Sequence, residues 1–423
     1  MQEDMERDIL DSCDQLFPAV IDFTKEMVKQ YSVLGEEKGT LDVVEQELRN
    51  LNLPPTRVPM KREEMESSAL YAPVEWDHED KYNLVSRLNP DGEGKSLVFN
   101  GHLDVVSAVP FDMWTQPPNE PWEKDGWLYG RGSGDMQAGV AAMIYAVHAI
   151  HLAGYKITSP LTIQAVVEEE CSGNGALACL QHGYDGDFVL IPEPFGPQIY
   201  AGQVGVLWFK TVVKGIPAHV LDTSSGTSAI EKLHLLIPFL KELEDDLNTH
   251  FRKPPYDKFD HPFNFNLGNI SGGNWPSSVP AYAEMEARIG FPPGMDASEI
   301  MKKVSDKIEE ATRKSNIFGT DVPIVSFHGF RSEGHLVDMD NPGIEILSDC
   351  HKSLTQQEVG SYLSTCTTDL RAFHFYSGTG GTCYGPVAKN IHGIDERVNI
   401  ESVRHVLRTY ALFISRWCKV EKL

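Results

Sequence analysis

The stretch SLVFNGHLDVV (Ser96–Val106) places an imidazole and a carboxylate, His102 and Asp104, just where an apolar run ends. Two further apolar runs end the same way. LTIQAVV (Leu161–Val167) leads into Glu168, Glu169 and Glu170, and FVLI (Phe188–Ile191) leads into Pro192 and Glu193. A glycine-rich segment, GRGSGDMQAG, carries Asp135, and a late NIHGIDERV carries His392. Singly, each has a plain structural explanation: a turn with a polar contact, an acid complementing a helix dipole, a structural histidine. Jointly, they offer the imidazole and carboxylate donors that a divalent-cation site would need. Carboxylates crowded together disfavour one another's ionisation, and a bound divalent cation removes that conflict.

The three apolar runs are unbroken, as strands covered on both faces should be. Strand and helix signals alternate to about residue 200, with a helix expected from about Met136 to Ala153. This predicts an α/β domain built on a mostly parallel sheet with helices on both faces. Ligands in such sheets bind beyond the carboxyl ends of the strands, so the polar clusters should meet in one crevice. Past Gly205 the order becomes β-α-β-β-α-β, from VLWFKTVVKG to VPIVSFHGF, which suggests an inserted ferredoxin-like α+β domain. A chain of 423 residues exceeds one compact core. The expected division is a discontinuous metal-binding catalytic domain, 1–204 and 329–423, around an inserted dimerisation or lid domain, 205–328.

The formal net charge of −24 and the lack of a Lys/Arg stripe argue against nucleic acid or an anionic membrane as partner. Seven scattered cysteines without a C-x-x-C pair, and an acidic amino terminus, MQEDMERDIL, without an apolar core, lead us to expect a cytoplasmic protein with free thiols. No G-x-S-x-G elbow and no H-E-x-x-H motif is present, against a serine hydrolase and a single-helix zinc protease.

The series FNGHLDVV, DGWLYGRGSGDMQAGVAAM, VVEEECSGNGA, IPEPFGPQIYAGQVG, GIPAHV, CTTDLRAF and YGPVAKNIHGIDERVNIES resembles the zinc-dependent exopeptidase and deacylase family that includes acetylornithine deacetylase, succinyl-diaminopimelate desuccinylase and glutamate carboxypeptidase. These motifs run from about residue 97 to 402. The resemblance implies two Zn²⁺ per subunit, with Co²⁺ or Mn²⁺ as alternatives. His102 and Glu193 would hold one metal, Glu170 and His392 the other, and Asp135, preceding a cis peptide, would bridge them. Asp104 would orient His102, and Glu169 would be the general base that moves a proton from water to the leaving nitrogen. Glu168 reads as an exposed acid supporting the loop. His219 of GIPAHV would reach the site of a partner subunit, which implies a homodimer.

The sequence also departs from the family. The place of an arginine that binds a substrate carboxylate falls on Gly290, and the nearest arginine is Arg288. Ser277 and Ser278 stand where an Asn is common, and Val387 where Gly is frequent. Thr367 and Arg371 are further substrate-pocket candidates. The expected activity is removal of an acyl group, acetyl, formyl or similar, from a small N-acylated amino acid or amine, in the manner of acetylornithine deacetylase. A dipeptidase or carboxypeptidase, a formylaminopyrimidine deformylase, and a catalytically silent metal-binding protein are the alternatives.

Overall fold

The computed structural model describes residues 2–423. Its central sheet has six strands in the order Thr56–Pro59, Tyr82–Leu88, Leu161–Val166, Leu97–His102, Phe188–Ile191, Gly380–Cys383. The last four run parallel, and the first two complete the sheet in antiparallel pairing. Leu97–His102 and Leu161–Val166 are buried at every position, which explains their unbroken apolar character. The α/β expectation is met.

Helix Ala138–Leu152 packs against two long helices, Gln2–Val28 and Ile400–Trp417. The sequence pattern predicts the second of these, from about Ile400 to Lys419, but not the first. The first is nonetheless amphipathic: Ile9, Cys13, Phe17, Val20, Thr24 and Met27 are buried at helical spacing. Its acidic outer face hides that stripe from a reading based on composition.

A second sheet has five strands and is antiparallel throughout. Its path is Phe265–Gly272, Tyr282–Phe291, Gly205–Lys214, Ile324–Ser326, with Arg331–Ser332 also on Gly205–Lys214. Helices Ala229–His250 and Ala297–Lys314 close one face over Leu207, Phe209, Met285 and Ile289, in a core separate from that of the larger sheet. The opposite face presents the half-buried Trp208, Lys210, Glu286 and Arg288. The strand expected over VPIVSFHGF shortens to Ile324–Ser326, and Phe327–Phe330 turn inward instead.

A small four-stranded sheet matters for the site. The hairpin Ala388–Lys389 and Arg397–Asn399 pairs onto Trp127–Tyr129, directly upstream of the segment carrying Asp135.

His335 lies on a short strand beside Ile199–Gln203, buried, stacked 4.3 Å from the His374 ring, with neither ring nitrogen hydrogen-bonded. Burial, and then the charges of His374 and Arg371, lower its pKa to about 3. The unfolded chain, titrating near 6.5, therefore binds this proton first, so stability is complete above that pH and falls as the pH drops from about 6.5 toward 3. We expect His335→Phe to flatten the decline of the melting temperature between pH 7 and pH 5. An unchanged slope would show that His335 does not drive it.

Candidate active site

His102 ends one central strand, the acidic triplet follows its neighbour Leu161–Val166, and Glu193 follows Phe188–Ile191 on the other side. Parallel strands bring their ends to one edge, so these groups converge. Asp135 sits in a non-helical turn ahead of helix Ala138–Leu152, and its peptide bond to Met136 is cis. Glu396, ion-paired with the buried Arg131, accepts the N–H groups of Gly134 and Asp135 at 3.0 Å each and fixes this turn. His392 rides the loop of the hairpin zipped to Trp127–Tyr129.

Asp135 stands at the centre. Its Oδ1 lies 3.2 Å from His102 Nε2, and its Oδ2 lies 3.4 Å from His392 Nε2. His392 Nε2 is also 3.1 Å from Glu170 Oε2. Donor atoms of His102, Asp135 and Glu170 lie within 4.8 Å of one another, and so do those of His102, Glu169 and Glu193.

Burial and the neighbouring carboxylates push the Glu169 and Glu193 carboxyls well above their ordinary range. Burial alone would lower His102, but the bond to Asp135 and the charges of Glu169 and Asp104 raise it far above an ordinary imidazole. The Glu170 charge leads the groups that raise His392 to about 11. The donors thus form two overlapping groups of nitrogen and oxygen with excess negative charge. A pair of divalent cations fits them, since each cation replaces the protons these groups otherwise share.

Asp104 orients His102, although not through its carboxylate. His102 Nδ1 bonds to the main-chain oxygen of Asp104 at 2.9 Å, while Oδ1 is 3.8 Å away. The carboxylate instead accepts the N–H groups of Glu169 and Glu170, at 3.2 and 3.0 Å, and holds the acidic loop in register with the neighbouring strand.

Glu168 corrects the expectation of an exposed acid. It is fully buried with φ +66°, and it accepts from Trp76 Nε1 at 2.8 Å, Ser172 Oγ at 2.9 Å and Lys81 Nζ at 3.0 Å, with His78 Nε2 at 3.2 Å. Burial opposes its ionisation, but these partners hold the carboxyl down at about 2. A left-handed residue turns the chain so that Glu168 faces inward while Glu169 and Glu170 face the crevice.

The crevice opens into a cavity of about 580 Å³ whose lining includes Asp135, Glu169, Glu170, Glu193 and His392. Arg288 and Thr367 line it too. Register pairs Trp208 with Arg288 and Val206 with Gly290, so Arg288 keeps the same sheet face as Gly290. Its guanidinium is engaged with the carbonyls of Thr365 (2.9 Å) and Asn264 (3.3 Å). Thr367 bonds Gln203 and Ser332. Arg371 does not reach the cavity: it is buried beneath the loop, donating to Ser172 O at 2.6 Å. His219 is exposed in the loop Ile216–Gly226, and the cavity of its own chain does not include it. Trp76, Trp208, Glu286 and His328 line the cavity without having been singled out from the sequence. The alternation around Trp208 and Glu286 carried a signal. Trp76, in an irregular segment, had none.

Residues 98–416 match the description "Peptidase family M20/M25/M40". The chain belongs to this family. It is 26% identical over 361 residues to the N-formyl-4-amino-5-aminomethyl-2-methylpyrimidine deformylase of Bacillus subtilis (strain 168), covering 80% of this chain and 84% of that one. It is 31% identical over 233 residues to the acetylornithine deacetylase of Pasteurella multocida (strain Pm70), covering 54% and 58%. Its fold is similar to that of the di-peptidase Dug1p from Saccharomyces cerevisiae, with TM-score 0.80, 13% identity and coverage of 97% and 98%. As an M20/M25/M40 member with two overlapping donor groups, the chain is a dinuclear metal-binding hydrolase acting on amide bonds of small acylated substrates. No helix among the described residues is long and apolar enough to cross a membrane.

Because the Asp104 carboxylate clamps the loop carrying two donors, Asp104→Asn should lower Zn²⁺ affinity roughly 10- to 100-fold. Competition titration against a chromophoric chelator reads this. Unchanged affinity would mean the main-chain bond to His102 suffices.

Proposed function

We propose that this protein removes a short acyl group, formyl or acetyl, from a small N-acylated amine, with two Zn²⁺ per subunit. The observation that carries the reading is Glu169, a buried carboxylate in the donor cluster that also lines a cavity of about 580 Å³. That volume suits a small molecule and not an extended chain. His102 and Glu193 would hold one cation, His392 and Glu170 the other, with Asp135 between them. Co²⁺ or Mn²⁺ could occupy the same donors. When bound, such a pair polarises an amide carbonyl and acidifies water. Glu169, whose pKa burial raises, is suited to take a proton from water and deliver it to the leaving nitrogen.

The state of Arg288 bears on the substrate. With its guanidinium given to two main-chain carbonyls, it is not poised to receive a carboxylate. This favours an amine without a carboxylate over acetylornithine-like acids and dipeptides, in keeping with the substrate that the Bacillus subtilis relative's name states.

His219 would complete the cavity of a second copy, making the enzyme a homodimer joined through residues 205–328. A cytoplasmic location accords with seven free cysteines, and a lack of nucleic-acid or membrane partners accords with the net charge of −24.

The test assays purified protein with N-formyl and N-acetyl amines, N-acetyl amino acids and dipeptides, with and without chelator. Glu169→Gln should lower kcat by roughly 10²- to 10⁴-fold while metal content is retained. Cleavage that survives both chelation and this substitution ends the reading. For the dimer, His219→Ala and Glu169→Gln should each be inactive alone and regain activity when mixed and reassembled, since one hybrid site then holds both groups. No recovery would place His219 outside the partner's site.

A further inference from the structure

Trp76 belongs to no strand or helix, yet the segment that carries it is tied down along its length. Asn174 receives the Ala72 N–H at 3.1 Å and donates to the Ala72 carbonyl at 2.9 Å. Pro73 O accepts from Gly329 N at 2.7 Å. Arg62 donates to Val74 O at 3.2 Å and Trp76 O at 2.6 Å. The indole itself donates to the buried Glu168 at 2.8 Å. Such investment in one half-buried indole is unusual for a loop, since exposed segments normally keep their rotamer freedom.

The ties lead to a second indole. Gly329 adopts φ +69°, and a Cβ there would meet Trp208 Cε3 at 2.6 Å and Cys171 O at 3.0 Å. Only glycine lets Trp208 pack this closely beside the acidic loop. Phe330 then sets its ring edge-on to Trp208, centroids 5.2 Å apart. Trp76, Trp208 and Phe330 all line the cavity that holds Glu169. Polar groups flank them: Asn269 Nδ2 donates to Glu286 at 2.9 Å, and His328 Nε2 lies 3.6 Å from Glu286, with its Nδ1 buried and unpartnered.

We propose that Trp76, positioned by Glu168, is with Trp208 the specificity-determining element of this cavity, and that the amine portion of the substrate is a flat aromatic or heteroaromatic ring bearing hydrogen-bonding substituents. Two indoles lining one cavity, with the Phe330 ring packed against Trp208, offer offset and edge-on contacts that a saturated ring of the same size cannot use. Glu286, Asn269 and His328 supply acceptors and donors for ring substituents. Glu168 bears on this part of the cavity through its bond to the Trp76 indole. The inference rests on the amide-hydrolase reading and names the class of its leaving group.

The test separates the two. Zinc-loaded full-length protein is titrated calorimetrically with benzylamine and with cyclohexylmethylamine, which share the amine and differ in the ring. Benzylamine should bind roughly three- to tenfold more tightly. Trp76→Ala should abolish the difference, Trp76→Phe should keep part of it, and Glu168→Gln should reduce it by freeing the indole. Trp208→Ala provides a second variant in case the first fails to fold. The inference falls if the wild type binds both amines equally, or if the difference persists in Trp76→Ala and Trp208→Ala alike. Ring discrimination without metal-dependent amide cleavage would instead overturn the hydrolase reading and leave the aromatic cavity standing.

Discussion

Asp135 presents one carboxylate oxygen to each of two imidazoles, 3.2 Å from His102 and 3.4 Å from His392, inside a cluster that also holds Glu169, Glu170 and Glu193. Isolated charges of one sign in a buried site are costly, and much of the surrounding architecture serves to hold this arrangement. Parallel strands bring His102, the acidic loop and Glu193 to one edge. Glu396 with Arg131 grips the turn of Asp135. The small four-stranded sheet delivers His392 from near the carboxyl terminus.

The three consecutive glutamates show how backbone geometry divides labour among identical side chains. Glu168, in a left-handed conformation, turns away into a network with Trp76, His78, Lys81 and Ser172. Glu169 and Glu170 are then held toward the crevice by the Asp104 carboxylate through their N–H groups. Asp104 therefore acts twice, through its carbonyl on an imidazole and through its carboxylate on the acidic loop. Both contacts lie behind the donors, where they cost no cation-binding capacity.

The second sheet faces the same crevice with its polar side. Helices cover one face, and the other offers Trp208, Glu286 and Arg288 to the cavity. An antiparallel sheet with one buried face leaves alternate positions free for such use. The donor cluster and the facing lining of the cavity thus come from parts of the chain with separate hydrophobic cores.

Legible in the sequence by itself were the elements with strong periodicity and the residues whose chemical type is rare at strand ends. The central parallel strands, the β-α-β-β-α-β order and the positions of His102, Asp135, Glu170, Glu193 and His392 rest on local pattern together with family resemblance. The helix Gln2–Val28 escaped because its charged face masks its stripe. What only tertiary structure decided depends on contacts between segments remote in the chain: the direction of Glu168, which follows from one backbone angle; the double use of the Asp104 side chain and carbonyl; the engagement of Arg288 with two carbonyls; the burial of Arg371; and the fixing of Trp76, by Glu168, in the lining of the cavity. Residue type and spacing record which groups are available. Which way each group points is set by hydrogen-bond partners that no local window contains.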